Sequence, residues 1–395
     1  MRSVSAAVVG TGFIGPVHVE AIRRLGHRVI GVLGSSAEKS RAAADAQGIE
    51  KGYASFADLL ADTAVEVVHL ASPNAAHFDQ CRKAIAAGKH VVCEKPLALT
   101  STETAELVAL AAAHPHLVTA VNYNVRFYPL CLDARERVRG GTVGDVFHVT
   151  GSYLQDWLLH DTDYNWRVED PTAPTREIPT GPSAGGAITS LRAVADIGTH
   201  WLDLVTFITG LEVESVCADL RTVFPTRTKP TGGSETFTSR GALPAGVPIA
   251  VTTEDYGSVL VRFAGGARGC FTVSQVTAGR KNCLRFDIAG AKASLAWDSE
   301  HPNTLGIGYR DAPNAALIRD PALLAAGVRP YANYPGGHAE GFPDTFKQLY
   351  RAVYDAIASP GGGPRLYPTF ADGHREVLVC EAILRSHREQ RWVEV

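Results

Sequence analysis

Three residues stand out for the chemistry their types and spacing allow. Asp196 and His200 lie four apart in Ala195-Asp196-Ile197-Gly198-Thr199-His200-Trp201-Leu202-Asp203. On a helix that spacing puts both on one face. A carboxylate beside an imidazole raises its basicity and orients it, which suits a general base near neutral pH. The alternative is a helix-face hydrogen bond with no chemistry. Lys95 stands next to last in the run Val91-Val92-Cys93-Glu94-Lys95-Pro96. An apolar strand ending in an ion pair and a proline puts Lys95 at the carboxyl edge of a sheet. In open α/β sheets that edge is where ligands bind. A surface lysine paired to Glu94 is the competing reading.

A fourth feature points to a ligand. Gly10-Thr11-Gly12-Phe13-Ile14-Gly15 has the spacing GxGxxG, between an apolar run and a helical pattern. In that context the glycines allow a tight turn, close approach of a pyrophosphate, and close helix–strand packing. The free N–H groups at the helix start then face phosphates. The cofactor is expected to be NAD or NADP. An acid after the second strand would bind the ribose 2′-hydroxyl of NAD. That position falls at Gly34-Ser35-Ser36, and no acid stands there. Lys39 and Arg41 follow and could take a 2′-phosphate; Glu38 could serve the ribose. The choice stays open, with the balance toward NAD.

These residues need elements to hold them. Apolar runs at 6–9, 28–33, 65–71, 90–93 and 117–121 alternate with helical patterns at 17–25, 37–47, 75–87 and 102–113. Strands alternating with helices imply βαβ units and a parallel sheet. Beyond residue 122 the texture changes. Strands are expected at 146–154, 213–224, 249–263, 267–277, 283–289 and 293–297. Gly265-Gly266 and Gly290-Ala291 separate neighbouring runs, so an antiparallel sheet is expected. Loops fall at 158–187, 225–247 and 299–340, a helix at 343–358, a Gly/Pro break at 360–364 and a last helix at 370–388. The fold class is therefore an α/β doubly wound domain over 1–123, then an α+β domain over 124–395 with a large, mostly antiparallel open sheet. The last helix is expected to pack back on the first domain.

These motifs together resemble the Gfo/Idh/MocA family, named after glucose–fructose oxidoreductase and inositol dehydrogenase. The likeness spans essentially the whole chain. It rests on the glycine turn, Ser72-Pro73-Asn74-Ala75-Ala76-His77, Glu94-Lys95-Pro96, Asn122-Tyr123-Asn124-Val125-Arg126-Phe127-Tyr128-Pro129, and the run from Asp196 to Asp203. The resemblance implies a Rossmann domain followed by a substrate-binding domain. It further implies that Lys95 contacts the reacting hydroxyl and the nicotinamide ribose. His200 would accept the proton during oxidation, with Asp196 as its partner or a substrate ligand. Ser72, Pro73, Asn74 and His77 would line the nicotinamide side, with Glu94 and Asn122 beside the cofactor and Arg126 bracing the cleft. The missing acid after the second strand departs from the family pattern.

The substrate side is read from Tyr153, Gln155, Trp157, Tyr164, Trp166 and Arg167. Indole rings stack on sugar C–H faces, and the polar groups bind hydroxyls, so a sugar, glycoside or cyclitol is expected. Aromatic packing under a long loop is the competing reading. His338 and Glu340 could reach the same cleft or cap a helix. Arg167 and Arg192 could read an anion or form structural ion pairs. Two other functions compete with a dehydrogenase: an NAD-dependent glycosidase acting by transient oxidation and elimination, and a non-catalytic NAD(P) sensor.

Bulk properties bound the rest. With 395 residues, domains of ~100–200 residues predict two. Thirty-eight Lys+Arg against 41 Asp+Glu give −3, so neither nucleic acid nor an anionic membrane is an expected partner. The seven cysteines are scattered without CxxC spacing, which predicts reduced thiols and no metal site. With no signal segment or membrane-length apolar run, a cytoplasmic location is expected. A homodimer or homotetramer through the second domain's sheet is the expected assembly.

Overall fold

Strands that helices cover on both faces must be apolar throughout. The N-terminal runs obey this in the computed structural model, which describes residues 3–169, 188–231, 246–359 and 365–395. They form β1 (Ser5–Val9), β2 (Arg28–Leu33), β4 (Val67–Leu70), β5 (His90–Cys93) and β6 (Thr119–Val121), and the two-residue β3 (Lys51–Gly52) joins them without an apolar run of its own. All neighbours are parallel, in the order β3-β2-β1-β4-β5-β6. Ala7, Val9, Leu70, Cys93 and Val121 are buried in one core cluster. Between the strands run α1 (Ile14–Arg24), α2 (Ala37–Gln47), α3 (Phe56–Ala61), α4 (His77–Ala86) and α5 (Ser101–Ala113). The order reverses between β1 and β4, so the carboxyl ends of those two strands flank the crevice where such folds bind ligands.

The next elements are α6 (Pro129–Arg139), β7 (Val146–Leu154) and α7 (Thr199–Thr209). The strands β8 (Val213–Arg221), β9 (Thr226–Pro230), β10 (Gly246–Ala250), β11 (Tyr256–Phe263) and β12 (Arg268–Ser274) follow. After them come β13 (Cys283–Gly290), β14 (Ser294–Asp298), β15 (Thr304–Gly308) and β16 (Ala315–Ile318). The chain closes with α8 (Phe342–Ala358), α9 (Phe370–Glu389) and β17 (Val393–Glu394). Nine strands make one sheet, β16-β15-β14-β13-β7-β12-β11-β8-β17. It is antiparallel except for the pair β12 and β7.

Several expectations shift here. The run 249–263 divides in two, because β10 leaves the sheet to pair with β9 in a separate ribbon. The stretch 299–340 carries β15 and β16. Gly265-Gly266 turn between β11 and β12 with positive φ, the conformation glycine favours. The loop stretches 170–187 and 232–245 and the break at 360–364 lie outside the described residues.

The chain divides into two compact units. One joins Met1–Tyr128 to Gly341–Val377; the other joins Pro129–Glu340 to Leu378–Val395. The nucleotide-type sheet thus shares its unit with α8 and the start of α9, beyond the expected boundary at 123. The backbone N–H of Val121 donates to the Pro368 carbonyl at 2.9 Å, and a Cβ on Gly373 would lie 2.8 Å from Val121. Among the described residues no helix is long and apolar enough to cross a membrane, and all seven cysteines are free thiols.

Candidate active site

The glycine turn follows β1 directly. Gly10 has φ +110°, and a Cβ there would sit 2.2 Å from the Ala71 carbonyl oxygen. No L side chain fits. A Cβ on Gly15 would lie 2.2 Å from the Gly10 carbonyl, so α1 starts hard against β1. At Gly12 a Cβ would meet nothing within 4 Å. That is the space a pyrophosphate would need beside the backbone. Helix α1 has no side-chain cap and no acid in its first turn. Its orphan N–H groups and positive dipole end suit an anion. Thr11, Phe13 and Ile14 surround this turn, with Phe13 54% exposed. The chain's own geometry therefore fits a dinucleotide.

After β2, Ser35, Ser36 and Lys39 are all exposed. The Ser36 hydroxyl accepts from the Lys39 N–H at 3.2 Å as the N-cap of α2. Ser40, which the sequence did not mark, accepts from the Gly34 N–H at 2.8 Å and donates to the Ser36 carbonyl at 2.9 Å. Ser35 is left as the solvent-facing hydroxyl of this stretch.

At the ends of β4 and β5 several of the expected cofactor residues are bonded to the protein itself. Ser72 donates its hydroxyl to Gln80 at 2.6 Å, while Pro73 and Asn74 open a short turn in front of α4. His77 is buried, its ring nitrogens 2.8 and 3.0 Å from the Pro96 and Ser72 carbonyl oxygens. Burial pulls its pKa below the usual imidazole value. This ring ties the two strand ends together. The Glu94 carboxylate accepts from His18 Nε2 at 3.0 Å, from Asn122 Nδ2 and from the Lys95 N–H at 3.3 Å. Burial pushes its pKa up, but His18, Lys95 and Asn122 together carry it below the ordinary value. Glu94 and Asn122 therefore hold the turn that presents Lys95. Arg126 is buried and reaches Asp372 at 3.3 Å, so it braces the start of α9.

In the second unit, Asp196 sits in a π-helical turn, Val194–Gly198, that leads into α7. The Thr199 N–H reaches back five residues to the Val194 carbonyl. Such turns recur at functional sites. The Asp196 carboxylate accepts from Gln275 Nε2 at 2.9 Å and lies 3.5 Å from Arg167 Nε. His200 stands in the first turn of α7, 8% exposed, its ring edge-on to Tyr153 at 6.2 Å. Next to it the buried Trp201 fixes α7 on the sheet. The indole donates to the Arg285 carbonyl at 2.9 Å and stacks on Phe271 at 4.6 Å. Gly151 makes room for it, since a Cβ there would lie 2.3 Å from the indole nitrogen.

The expected substrate residues fall into three groups. Tyr153 and Gln155 both donate to Asn282 Oδ1, at 2.6 and 2.8 Å, and Trp157 Nε1 donates to Gln155 Oε1 at 2.8 Å. Asn282 and Gln275 were missed, because nothing local marks a residue whose partners lie 79 to 129 positions away. Trp157 and Tyr164 pack on the small core of Leu158, Val168 and Val251, which favours the packing reading for their rings. Tyr164 also donates to Glu169. Trp166 alone is 44% exposed, with the Arg167 guanidinium 4.5 Å from its ring centroid.

Arg192 makes structural ion pairs rather than reading an anion. It is fully buried against Asp255, Gln275 and Thr253. His338 is exposed, and Arg319 holds its carbonyl. Glu340 neither caps a helix nor faces a cleft; it is buried 3.0 Å from Arg319.

Glu254 gives this unit a pH signature. Its two carboxylate oxygens accept the N–H groups of Val194 and Arg192, each at 2.8 Å. Burial nevertheless pushes its carboxyl up to about 7, against the pull of those N–H groups. A raised acid pKa means that folding favours the protonated form. Stability contributed at acid pH therefore falls as pH rises from the ordinary glutamate range toward 7. Glu254→Gln is expected to flatten that decline in melting temperature, and an unchanged profile would remove Glu254 as its cause.

Comparison with known proteins agrees with this geometry. The family model described as "Oxidoreductase family, NAD-binding Rossmann fold" matches residues 4–123, and the "GFO/IDH/MocA C-terminal domain" matches residues 183–296. Levoglucosan dehydrogenase of Pseudarthrobacter phenanthrenivorans is 28% identical over 100% of this chain and 99% of its own. Inositol 2-dehydrogenase 1 of Saccharopolyspora erythraea is 34% identical over 100% of this chain and 96% of its own. A solved structure of levoglucosan dehydrogenase in complex with NADH and levoglucosan superposes with a TM-score of 0.85, at 25% identity, covering 100% of this chain and 99% of that one.

Proposed function

Because the chain belongs to the Gfo/Idh/MocA oxidoreductase family, we propose that it oxidises a secondary hydroxyl of a sugar, glycoside or cyclitol with NAD(P). The observations that carry this reading are the dinucleotide-type glycine turn in the first unit and, in the second, a π-turn that offers Asp196 and His200. The full-length likeness to a levoglucosan and an inositol dehydrogenase supports the substrate class. The bound nicotinamide supplies the redox chemistry. Gly10, Gly12 and the start of α1 bind the pyrophosphate, with Ser72 and Asn74 toward the nicotinamide end. Lys95 stabilises the developing alkoxide. His200 takes the hydroxyl proton, and Asp196 orients substrate or base. Gln155, Trp166 and Arg167 bind the polyhydroxylated ring, and a second copy of the chain docks on the nine-stranded sheet.

The test is a panel of sugars, inositols and glycosides with NAD and with NADP, following absorbance at 340 nm beside aglycone release. Accumulating reduced cofactor is the expected result. Aglycone release without it would replace this reading with redox-neutral glycoside cleavage.

Cofactor choice is expected to hinge on Ser35. No carboxylate stands directly after β2, at Gly34-Ser35-Ser36, to reject a 2′-phosphate. Ser35→Asp should shift the ratio of NADP to NAD dissociation constants toward NAD by about tenfold, the worth of one charge-assisted hydrogen bond. Fluorescence titration of both reduced cofactors measures it; an unchanged ratio would place the ribose elsewhere.

A further inference from the structure

Behind the Lys95 turn runs a buried chain of polar groups that the proposed reaction does not use. His18 is fully buried in α1, one turn beyond Gly15. Its Nε2 is 3.0 Å from Glu94 Oε1, and its Nδ1 is 3.0 Å from His69 Nδ1. His69 is fully buried in β4, and its Nε2 is 2.9 Å from the hydroxyl of Tyr354 in α8. Tyr350 packs against both imidazoles, 5.3 Å from one and 4.7 Å from the other. All these groups belong to the first unit.

Hydrogen-bond rules restrict where the protons lie. A carboxylate only accepts, so His18 Nε2 must carry a hydrogen. Two like nitrogens facing each other need one donor and one acceptor. Burial holds His69 well below the usual imidazole pKa, so His69 donates through one nitrogen only. Burial likewise keeps the Tyr354 hydroxyl protonated. The charge of Lys95 already favours an ionised Glu94. A further buried cation at His18 would add a desolvation cost.

We propose that Tyr354, His69 and His18 form a one-way donor chain ending on Glu94, which makes them positioning residues for Lys95. Tyr354 O–H donates to His69 Nε2, His69 Nδ1–H to His18 Nδ1, and His18 Nε2–H to Glu94. The carboxylate then keeps its remaining lone pairs for Asn122 and the Lys95 N–H. The link to turnover rests on the function proposed above; the proton positions do not.

Two arms test the proposal. Nitrogen-15 NMR of the imidazoles in the full-length protein at neutral pH is expected to show His18 with its proton on Nε2 and His69 with its proton on Nδ1. A doubly protonated His18, or a His69 proton on Nε2, overturns it. This arm needs no substrate, so it decides the chain even if dehydrogenase activity is absent. The second arm compares two variants. A glutamine amide can stand in for Nε2 and an asparagine amide for Nδ1. His18→Asn should lower kcat about tenfold, the worth of one hydrogen bond to a charged group, with cofactor affinity unchanged. His18→Gln should recover most of that loss. Equal kcat in the two variants overturns the positioning role. If His18→Asn does not fold, Tyr354→Phe serves: the His69 Nε2 resonance must shift on losing its donor, and an unmoved resonance overturns the chain.

Discussion

His200→Ala is expected to slow alcohol oxidation by about 100- to 10,000-fold, the usual worth of a positioned general base. Lys95→Ala should cost about 100- to 1,000-fold, as when one donor to a developing oxyanion is removed. Neither change should alter dinucleotide affinity by much. In the proposed reading that site is the glycine turn and the start of α1, both built from backbone, and neither residue shapes them. The folds should also survive. Trp201, not His200, fixes α7 to the sheet through the Arg285 carbonyl and Phe271. Glu94, not the Lys95 side chain, gathers the bonds that hold the Glu94-Lys95-Pro96 turn. The measurement is kcat and KM for the best substrate of the panel, beside a cofactor titration and a melting curve. Near-native turnover in either variant, with cofactor binding intact, removes that residue from the chemistry.

Much of this was legible in the sequence because the signals are local. Parallel strands buried on both faces read as unbroken apolar runs, and the glycine turn carries its steric demands within six residues. Elements without a local signal were missed. β3 is two residues long, and β16 exposes three of its four residues, so neither shows a period. The ribbon of β9 and β10 is equally invisible, since it takes its register from a partner strand. Polar residues were harder. Arg192 and Glu340 each left two readings open by type, and His77 was placed only through the family likeness; each is held by partners in its own unit. His18, His69, Gln275 and Asn282 carried no mark at all, because their roles depend on pairings across the fold.

Asp255 shows how far such a pairing reaches, and its replacement by alanine should have the largest effect on stability. Its side chain is fully buried. It accepts from Arg192, from Arg227 Nη2 at 2.7 Å, and from the N–H groups of Val223 and Phe224 at 2.7 and 3.1 Å. Asp255→Ala strands two buried guanidinium groups. Breaking a buried pair in this way costs about 3–5 kcal/mol. Burial pushes the Asp255 carboxyl up, but the two arginines and the N–H groups carry it below the ordinary value. Its contribution is therefore complete above the unfolded aspartate range and is lost only as pH falls through the lower folded value. That sign is opposite to Glu254, its neighbour in the chain. The loss should also reach the chemistry. Arg192 donates through Nη1 to Gln275 Oε1 at 2.8 Å, and Gln275 donates in turn to Asp196. The Arg192 carbonyl accepts the Asp196 N–H at 2.7 Å. An Arg192 freed from Asp255 no longer fixes the π-turn, so kcat should fall in those molecules that stay folded. Urea unfolding of both proteins at neutral pH, with kcat measured well below the transition, checks both effects. A stability loss under about 1 kcal/mol would mean that the arginines find other partners, against the cost expected for a stranded buried charge. Lost stability with native kcat would sever Asp255 from the site.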